Sequence, residues 1–148
     1  RFFTVYGPRQ RPEMAIAKFF GLVARNRPVP MFGDGTTARD YTFIEDIVTG
    51  MLKAMDLCAG FEIYNLGNST PVTLAEMIAS VGQAVGRNPR IDQLAEQAGD
   101  VTITCADISR ATLKLGYRPS TSLGQGLARY REWLVRNGEL PRTERLQA

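Results

Sequence analysis

Pro30-Met31-Phe32-Gly33-Asp34-Gly35-Thr36-Thr37-Ala38-Arg39-Asp40-Tyr41 carries an extended apolar run into a Gly-Asp-Gly turn and out again past a lone Arg. The chain then re-enters apolar sequence, Tyr41-Thr42-Phe43-Ile44, and a helix. Glycine permits positive φ and a close backbone approach to a ligand. An Arg just past such a turn suits an anionic oxygen cluster, because its planar fork bonds phosphate in a bidentate way. Spacing alone leaves a second reading open, a polar turn between buried segments with Arg39 in a surface ion pair.

Upstream, residues 1–7 (Arg-Phe-Phe-Thr-Val-Tyr-Gly) read as a strand stopped by Gly7-Pro8. Its continuous apolar character predicts burial on both faces, as in a parallel sheet. Arg9-Gln10-Arg11-Pro12 is a polar loop with two cations. A helix is expected from about Pro12 or Glu13, with Ile16, Phe19, Phe20 and Val23 on its apolar face. Asn26 to Pro28 end it.

Downstream, a helix is expected from about Glu45 to Asp56, burying Ile44, Ile47, Val48, Met51, Leu52 and Met55. Glu45 and Asp46 fall in its first turn, where the macrodipole favours carboxylates. Phe61 to Gly67 reads as a further strand. Thr73 with Glu76, and Ser122 with Gln125, have the spacing of capping boxes and open two more helices. The first buries Leu74, Met77, Ile78 and Val81; the second buries Leu123, Leu127, Tyr130 and Leu134. Residues 87–100 read as mostly irregular, and 101–105 as a short strand. Asp107 or Ser109 caps a short helix that ends at Gly116. Strand and helix alternate, which argues for an α/β fold. Two strands, near 2–6 and 61–66, are too few for a full doubly wound sheet, so the chain reads as the later part of one.

Composition narrows the function classes. With 148 residues, 44% hydrophobic and 22% charged, the chain has the make-up of a globular domain with a real core. No apolar run approaches a membrane span, which needs about 20 residues. The +3 net charge comes from 15 Arg and 3 Lys set against the acids. These cations are scattered, with only a mild concentration from Arg129 to Arg145, whereas a nucleic-acid binder concentrates them in a patch with interleaved aromatics. There is no His, so neither a zinc site with Cys58 and Cys105 nor a Ser-His or Cys-His centre can be built. Two unpaired thiols fit a reducing cytoplasm. A start without Met, inside a strand pattern, suggests a piece of a longer protein. The chain lacks G-x-G-x-x-G, and none of its five Tyr has a Lys four positions on. No complete catalytic centre is expected, and no metal site.

The motifs taken in order resemble the extended short-chain dehydrogenases, the nucleotide-sugar epimerase/dehydratase family. The stretches concerned are Arg1-Phe2-Phe3-Thr4-Val5-Tyr6-Gly7-Pro8, Phe32-Gly33-Asp34-Gly35 with Arg39-Asp40-Tyr41 and Asp46 to Gly50, and Asn65-Leu66-Gly67. They continue with Gly99-Asp100-Val101, Ala106-Asp107-Ile108-Ser109-Arg110-Ala111 and Leu115-Gly116-Tyr117. Within that family the opening segment is most similar to uronate 4-epimerases. The resemblance implies the C-terminal portion of a Rossmann-type parallel sheet plus a small mixed α/β substrate-binding domain. That unit would span residues 1–137, with sheet strands at about 1–7 and 61–67, and a polar tail at 138–148. It implies an NAD-dependent enzyme that epimerises a UDP-sugar through a 4-keto intermediate, with NAD and the catalytic Tyr/Lys pair held by a missing half. A decarboxylase, a 4,6-dehydratase or a non-catalytic binding module are the alternatives.

By position, Thr4 would contact the sugar or diphosphate, and Pro30 and Phe32 the uracil. Arg39 would hold the diphosphate and Asp100 the ribose hydroxyls. Gln97 stands where some hexose epimerases carry a second diphosphate-binding Arg. Arg9 or Arg11 would bind the substrate carboxylate. Both are equally open to being solvated loop charges, and Asp100 to being a turn residue. A sheet edge near Phe2–Tyr6 or Phe61–Leu66 would be exposed, with a homodimer forming through it.

Overall fold

The computed structural model describes residues 1–57 and 59–140. Cys58 and most of the expected tail, residues 141–148, lie outside them. In chain order the elements are β1 Thr4–Tyr6, α1 Ala15–Ala24, β2 Val29–Phe32, β3 Ala38–Arg39, β4 Tyr41–Phe43 and α2 Ile44–Leu57. They continue with β5 Val72–Thr73, α3 Leu74–Val85, β6 Ile91–Leu94, α4 Ser109–Leu115 and α5 Leu123–Arg136. β1 pairs in parallel with β4, Val5 opposite Thr42, and β2 pairs in parallel with β6, Val29 opposite Ile91. β3 and β5 form a short antiparallel pair.

Helices α1, α3 and α5 share one core with β1, β2 and β4. Phe20, Tyr6, Phe43, Met77, Ile78, Val81, Leu127 and Tyr130 are almost fully buried there. Both capping boxes form. Thr73 Oγ1 accepts from the Glu76 N–H, and Ser122 Oγ from the Gln125 N–H, with each N3 side chain bonding back. They fix where α3 and α5 begin, so the apolar stripes of both helices meet the core in register. At the crossing of α5 over β1, a Cβ on Gly126 would collide with the Tyr6 hydroxyl. That hydroxyl donates to the Leu123 carbonyl, at 3.3 Å.

A second, smaller core joins α2 and α4 through Ile47, Leu66, Ala111, Leu115 and Tyr117. It holds only one side of α2. Of the six residues expected to be buried, Ile47 is buried and Ile44 half-buried, whereas Val48, Met51, Leu52 and Met55 are exposed. The apolar stripe is real, but no element among the described residues lies against its outer half.

Other expectations are corrected in the same region. Of the strand expected over 61–67, only Leu66 pairs, in parallel with Phe2. Phe2 is 54% exposed instead of buried on both faces. From 101–105 only Ile103 pairs, with Ala38, while 91–94, read as irregular, forms β6 against β2. All four β6 residues are exposed, so the pairing rests on backbone bonds to the preformed β2 and leaves no strong apolar signal in the sequence. Helix α1 starts at Ala15, past the Pro12 turn, and the Met14 side chain at its N-cap makes no capping bond. Asp107 caps the approach to α4 by accepting from the Ser109 N–H at 3.0 Å.

Candidate functional site: a cavity at the Gly-Asp-Gly turn

The turn forms as its residues demand. Gly33 and Gly35 both take positive φ, and Asp34 Oδ1 accepts from the N–H and the hydroxyl of Thr36 at 2.9 and 2.6 Å. Those bonds hold the Asp34 carboxyl below the usual aspartate range. The Gly35 carbonyl accepts from Ala75 N–H (3.1 Å) and that of Thr37 from Leu74 N–H (2.8 Å), pinning the turn to the start of α3.

Beside it lies a cavity of about 260 Å³ lined by Pro30, Phe32, Arg39 and Asp100, with Lys18 and Tyr41. Four of the eight residues singled out from sequence meet here. Arg39 bonds the Asp100 carboxylate through Nη2, and its Nη1 donates to the carbonyls of Ala38 (2.9 Å) and Val101. The ion pair is half open to solvent, the side chains being 23% and 42% exposed. Arg39 therefore enters the cavity as a positioned guanidinium, already engaged by the residue expected to bind ribose.

Thr4, Arg9 and Arg11 line a separate cavity of about 700 Å³ that also includes Gln10 and Thr104. Arg9 is exposed and adopts φ 64°, a left-handed backbone uncommon outside glycine. Arg11 makes a loose ion pair with Glu13 at 3.4 Å. Gln97 lines neither cavity. It is exposed, and its carbonyl closes a turn on the Asp100 N–H at 3.2 Å.

Three residues carry site architecture that sequence reasoning passed over. Asp40 is fully buried, and its carboxylate accepts the N–H groups of Asn68, Ser69 and Ala106 at 2.8–2.9 Å. It ties the strand that carries Arg39 to two distant segments. Asp46 accepts from the N–H groups of Ser120 and Thr121 (3.2 and 3.1 Å), ahead of α5, a more specific role than a favourable helix dipole. Gln10 donates to the Val5 carbonyl at 3.2 Å, while its Oε1 is buried with no partner among the described residues. A buried acceptor left unpaired costs roughly 1–3 kcal/mol, and the residue that carries it lines the same cavity as Thr4, Arg9 and Arg11. A carboxylate inside an apolar strand pattern was the available signal for Asp40; Gln10 had none beyond its loop.

Chemically the region binds and orients. Burial raises the phenols of Tyr6 and Tyr41 above the ordinary tyrosine range; near Tyr41, Arg39 opposes that rise and Asp100 adds to it. Both keep their protons near neutral pH. No cluster of three or more metal-ligating side chains occurs among the described residues, and none of their helices is long and apolar enough to cross a membrane. The turn lacks the strand–turn–helix geometry on which a dinucleotide pyrophosphate is held. The Gly33–Gly35 turn leads into β3, not into a helix whose N-terminus could receive a pyrophosphate.

Residues 1–67 match the model of the NAD dependent epimerase/dehydratase family. Over 141 residues the chain is 38% identical to UDP-glucuronate 4-epimerase of Thermodesulfobacterium geofontis, covering 95% of this chain and 43% of that protein. The UDP-glucuronic acid 4-epimerase of Bacillus cereus, solved with UDP-glucuronic acid and NAD, superposes with TM-score 0.85 at 33% identity, covering 93% of this chain and 44% of that one. UDP-glucose 4-epimerase of Thermotoga maritima, solved with UDP-glucose, gives TM-score 0.86 at 31% identity, covering 93% and 45%. The fold is thus a Rossmann-like epimerase fragment. The chain is similar to members of the NAD dependent epimerase/dehydratase family along almost its whole length, and it spans somewhat under half the length of the relatives it matches.

Proposed function

We propose that this chain is the nucleotide-sugar-binding part of an NAD-dependent sugar-nucleotide epimerase that interconverts UDP-glucuronate and UDP-galacturonate. The observation that carries the reading is the cavity uniting Pro30, Phe32, Arg39 and Asp100. A planar base packs between Pro30 and Phe32. The diphosphate takes the place of Asp100 on the Arg39 fork, and the freed carboxylate accepts from the ribose hydroxyls. Thr4, Gln10, Arg9 and Arg11 line the neighbouring cavity where the sugar lies, and one of the two Arg side chains holds the uronate carboxylate. Gln97, one turn from Asp100, is a further polar contact for the diphosphate. NAD and the proton-shuttling pair belong to a part of the protein outside this chain, so the chain alone turns nothing over. The whole protein acts as a homodimer.

Calorimetric titration of the chain is expected to show binding of UDP and UDP-glucuronate and none of NAD. Arg39→Ala is expected to weaken UDP at least tenfold, a charge-assisted hydrogen bond being worth about 1.5–3 kcal/mol. Stoichiometric NAD binding by the chain would overturn the assignment of the cofactor to another part. In the full-length protein, NMR is expected to show UDP-galacturonate forming from UDP-glucuronate. Release of carbon dioxide or of water instead would make it a decarboxylase or a dehydratase.

A further inference from the structure

Helices α1 and α5 frame a third cavity, of about 710 Å³, that has no part in the reading above. Its floor is aromatic. Phe20 meets Tyr130 edge to face at 5.3 Å, and Tyr130 and Trp133 lie stacked, 17° apart, at 6.2 Å. Its rim is cationic, with the exposed Arg9, Lys18, Arg25 and Arg27 set against one carboxylate, Glu139. Arg25 donates to the Gly21 carbonyl at 3.1 Å, while the side chains of Arg9, Lys18 and Arg27 have no partner among the described residues.

Two polar groups on the wall are buried and equally without partners. Gln10 Oε1 is one of them. The other is the hydroxyl of Tyr130, a residue only 1% exposed, which makes no hydrogen bond among the described residues. Burial, with Glu139 adding to it, pushes that phenol up to about 12, so it keeps its proton near neutral pH. Buried polar groups in folded proteins are nearly always paired. Solvation accounts for cations on a rim, but it leaves the Tyr130 hydroxyl without a partner. The volume falls in the range of small-molecule sites, about 300–1,000 Å³. The wall asks for a ligand with negative charge, a planar ring, and groups that both accept and donate hydrogen bonds.

The three cavities also share walls. Arg9 and Gln10 line the sugar cavity as well as this one, and Lys18 lines the nucleotide cavity as well as this one.

We propose that the α1–α5 cavity is a second binding site, for a nucleoside phosphate, and that its occupation opposes binding in the other two cavities. The base stacks against Trp133, a contact that accepts any base. The phosphate lies among Lys18, Arg25 and Arg27, whose donors match its oxygens. The Tyr130 hydroxyl and Gln10 Oε1 bond the ligand's polar groups. Arg9 and Lys18 serve anions on either side, so a ligand in one cavity draws cations away from the other, and linkage makes the effect reciprocal. The opposition rests on the reading of the Arg39 cavity as a nucleotide site; the second site does not.

Trp133 is the chain's single tryptophan and lines neither of the other two cavities, so its emission reports directly on this one. Titrating the full chain with UMP and with AMP is expected to change that emission saturably, and inorganic phosphate to change it far less. Arg25→Ala combined with Arg27→Ala is expected to weaken the response roughly tenfold or more, and Tyr130→Phe, which keeps the ring, roughly fivefold. Arg118→Ala, which removes an exposed cation away from these cavities, should leave it unchanged, and so should Arg39→Ala. Saturating AMP is expected to weaken UDP in calorimetry about fivefold in the unaltered chain and not in the Arg25→Ala, Arg27→Ala chain. Absence of UDP binding would overturn the reading of the Arg39 cavity, while the Trp133 response still decides the second site. No Trp133 response to either nucleotide, an equal response to inorganic phosphate, or a response indifferent to the Arg25→Ala, Arg27→Ala and Tyr130→Phe changes would overturn that site. UDP affinity unmoved by AMP would overturn the opposition between the cavities.

Discussion

The two cores of this chain have comparable apolar sequence and very different closure. Around Phe20, Ile78 and Leu127, helices α1, α3 and α5 cover each other and the strands beneath them. Around Ile47 and Leu66, helix α2 is covered on one flank and bare on the next. Periodicity alone does not separate them, since both read as i, i+3, i+4 stripes. Periodicity reports the burial that a sequence was shaped for. The structure of a chain corresponding to under half of its relatives reports which of those surfaces its own residues can cover.

Substitutions that pit the closed core against the open one give the largest contrast. Phe20→Ala is expected to cost about 3–5 kcal/mol in urea unfolding, from lost burial plus a cavity. Met55→Ala in the same chain is expected to stay within about 0.5 kcal/mol, as for an exposed site. Comparable losses at the two positions would mean that α2 is covered after all. Asp40→Ala removes three charge-assisted bonds and leaves the buried Ala106 N–H and the part-buried N–H groups of Asn68 and Ser69 without their acceptor, with an expected loss of about 4 kcal/mol. A loss under about 1 kcal/mol would break the claim that Asp40 fastens the Arg39 strand to residues 68–69 and 106.

Arg39→Ala separates binding from stability within one cavity. The half-exposed pair with Asp100 is worth under about 1 kcal/mol of folding, so its unfolding midpoint should hardly move while UDP affinity falls.

The smallest expected effect concerns the two capping boxes of the closed core. The bonds from Thr73 hold the Glu76 carboxyl below the ordinary glutamate range. A depressed pKa contributes stability above the unfolded pKa and loses it as pH falls through the folded one. The cap of α3 should therefore weaken in acid, and that of α5, closed by the uncharged Gln125, should not. In an NMR titration the Thr73 amide is expected to shift with Glu76 and the Ser122 amide to stay still. Glu76→Gln should abolish the difference.

Much of the closed core was legible because its signals are local: capping spacings, apolar stripes, and glycines at a turn. The same locality exposed Pro30, Phe32 and Arg39 as neighbours of that turn. Asp100 entered through family resemblance, because a contact across 61 positions leaves no periodic trace. β6 was missed because Ile91-Asp92-Gln93-Leu94 pairs by its backbone, with every side chain exposed. Asp40 was missed for the opposite reason: its partners are backbone N–H groups, which every residue except proline possesses.

Arg39 ends β3 and Asp40 follows it in the extended link to β4, and the two lie on opposite sides, cation to the cavity and anion to the interior. Strand alternation makes that arrangement a two-position lock. A slip of one residue would push the guanidinium among the three backbone N–H donors and turn the carboxylate toward the cavity proposed to take the diphosphate. Both moves place like charge against like, so the pair acts as a proofreader of register. An insertion or deletion anywhere between Gly35 and Tyr41 should therefore appear first as a folding defect, before it is ever visible as a change of ligand.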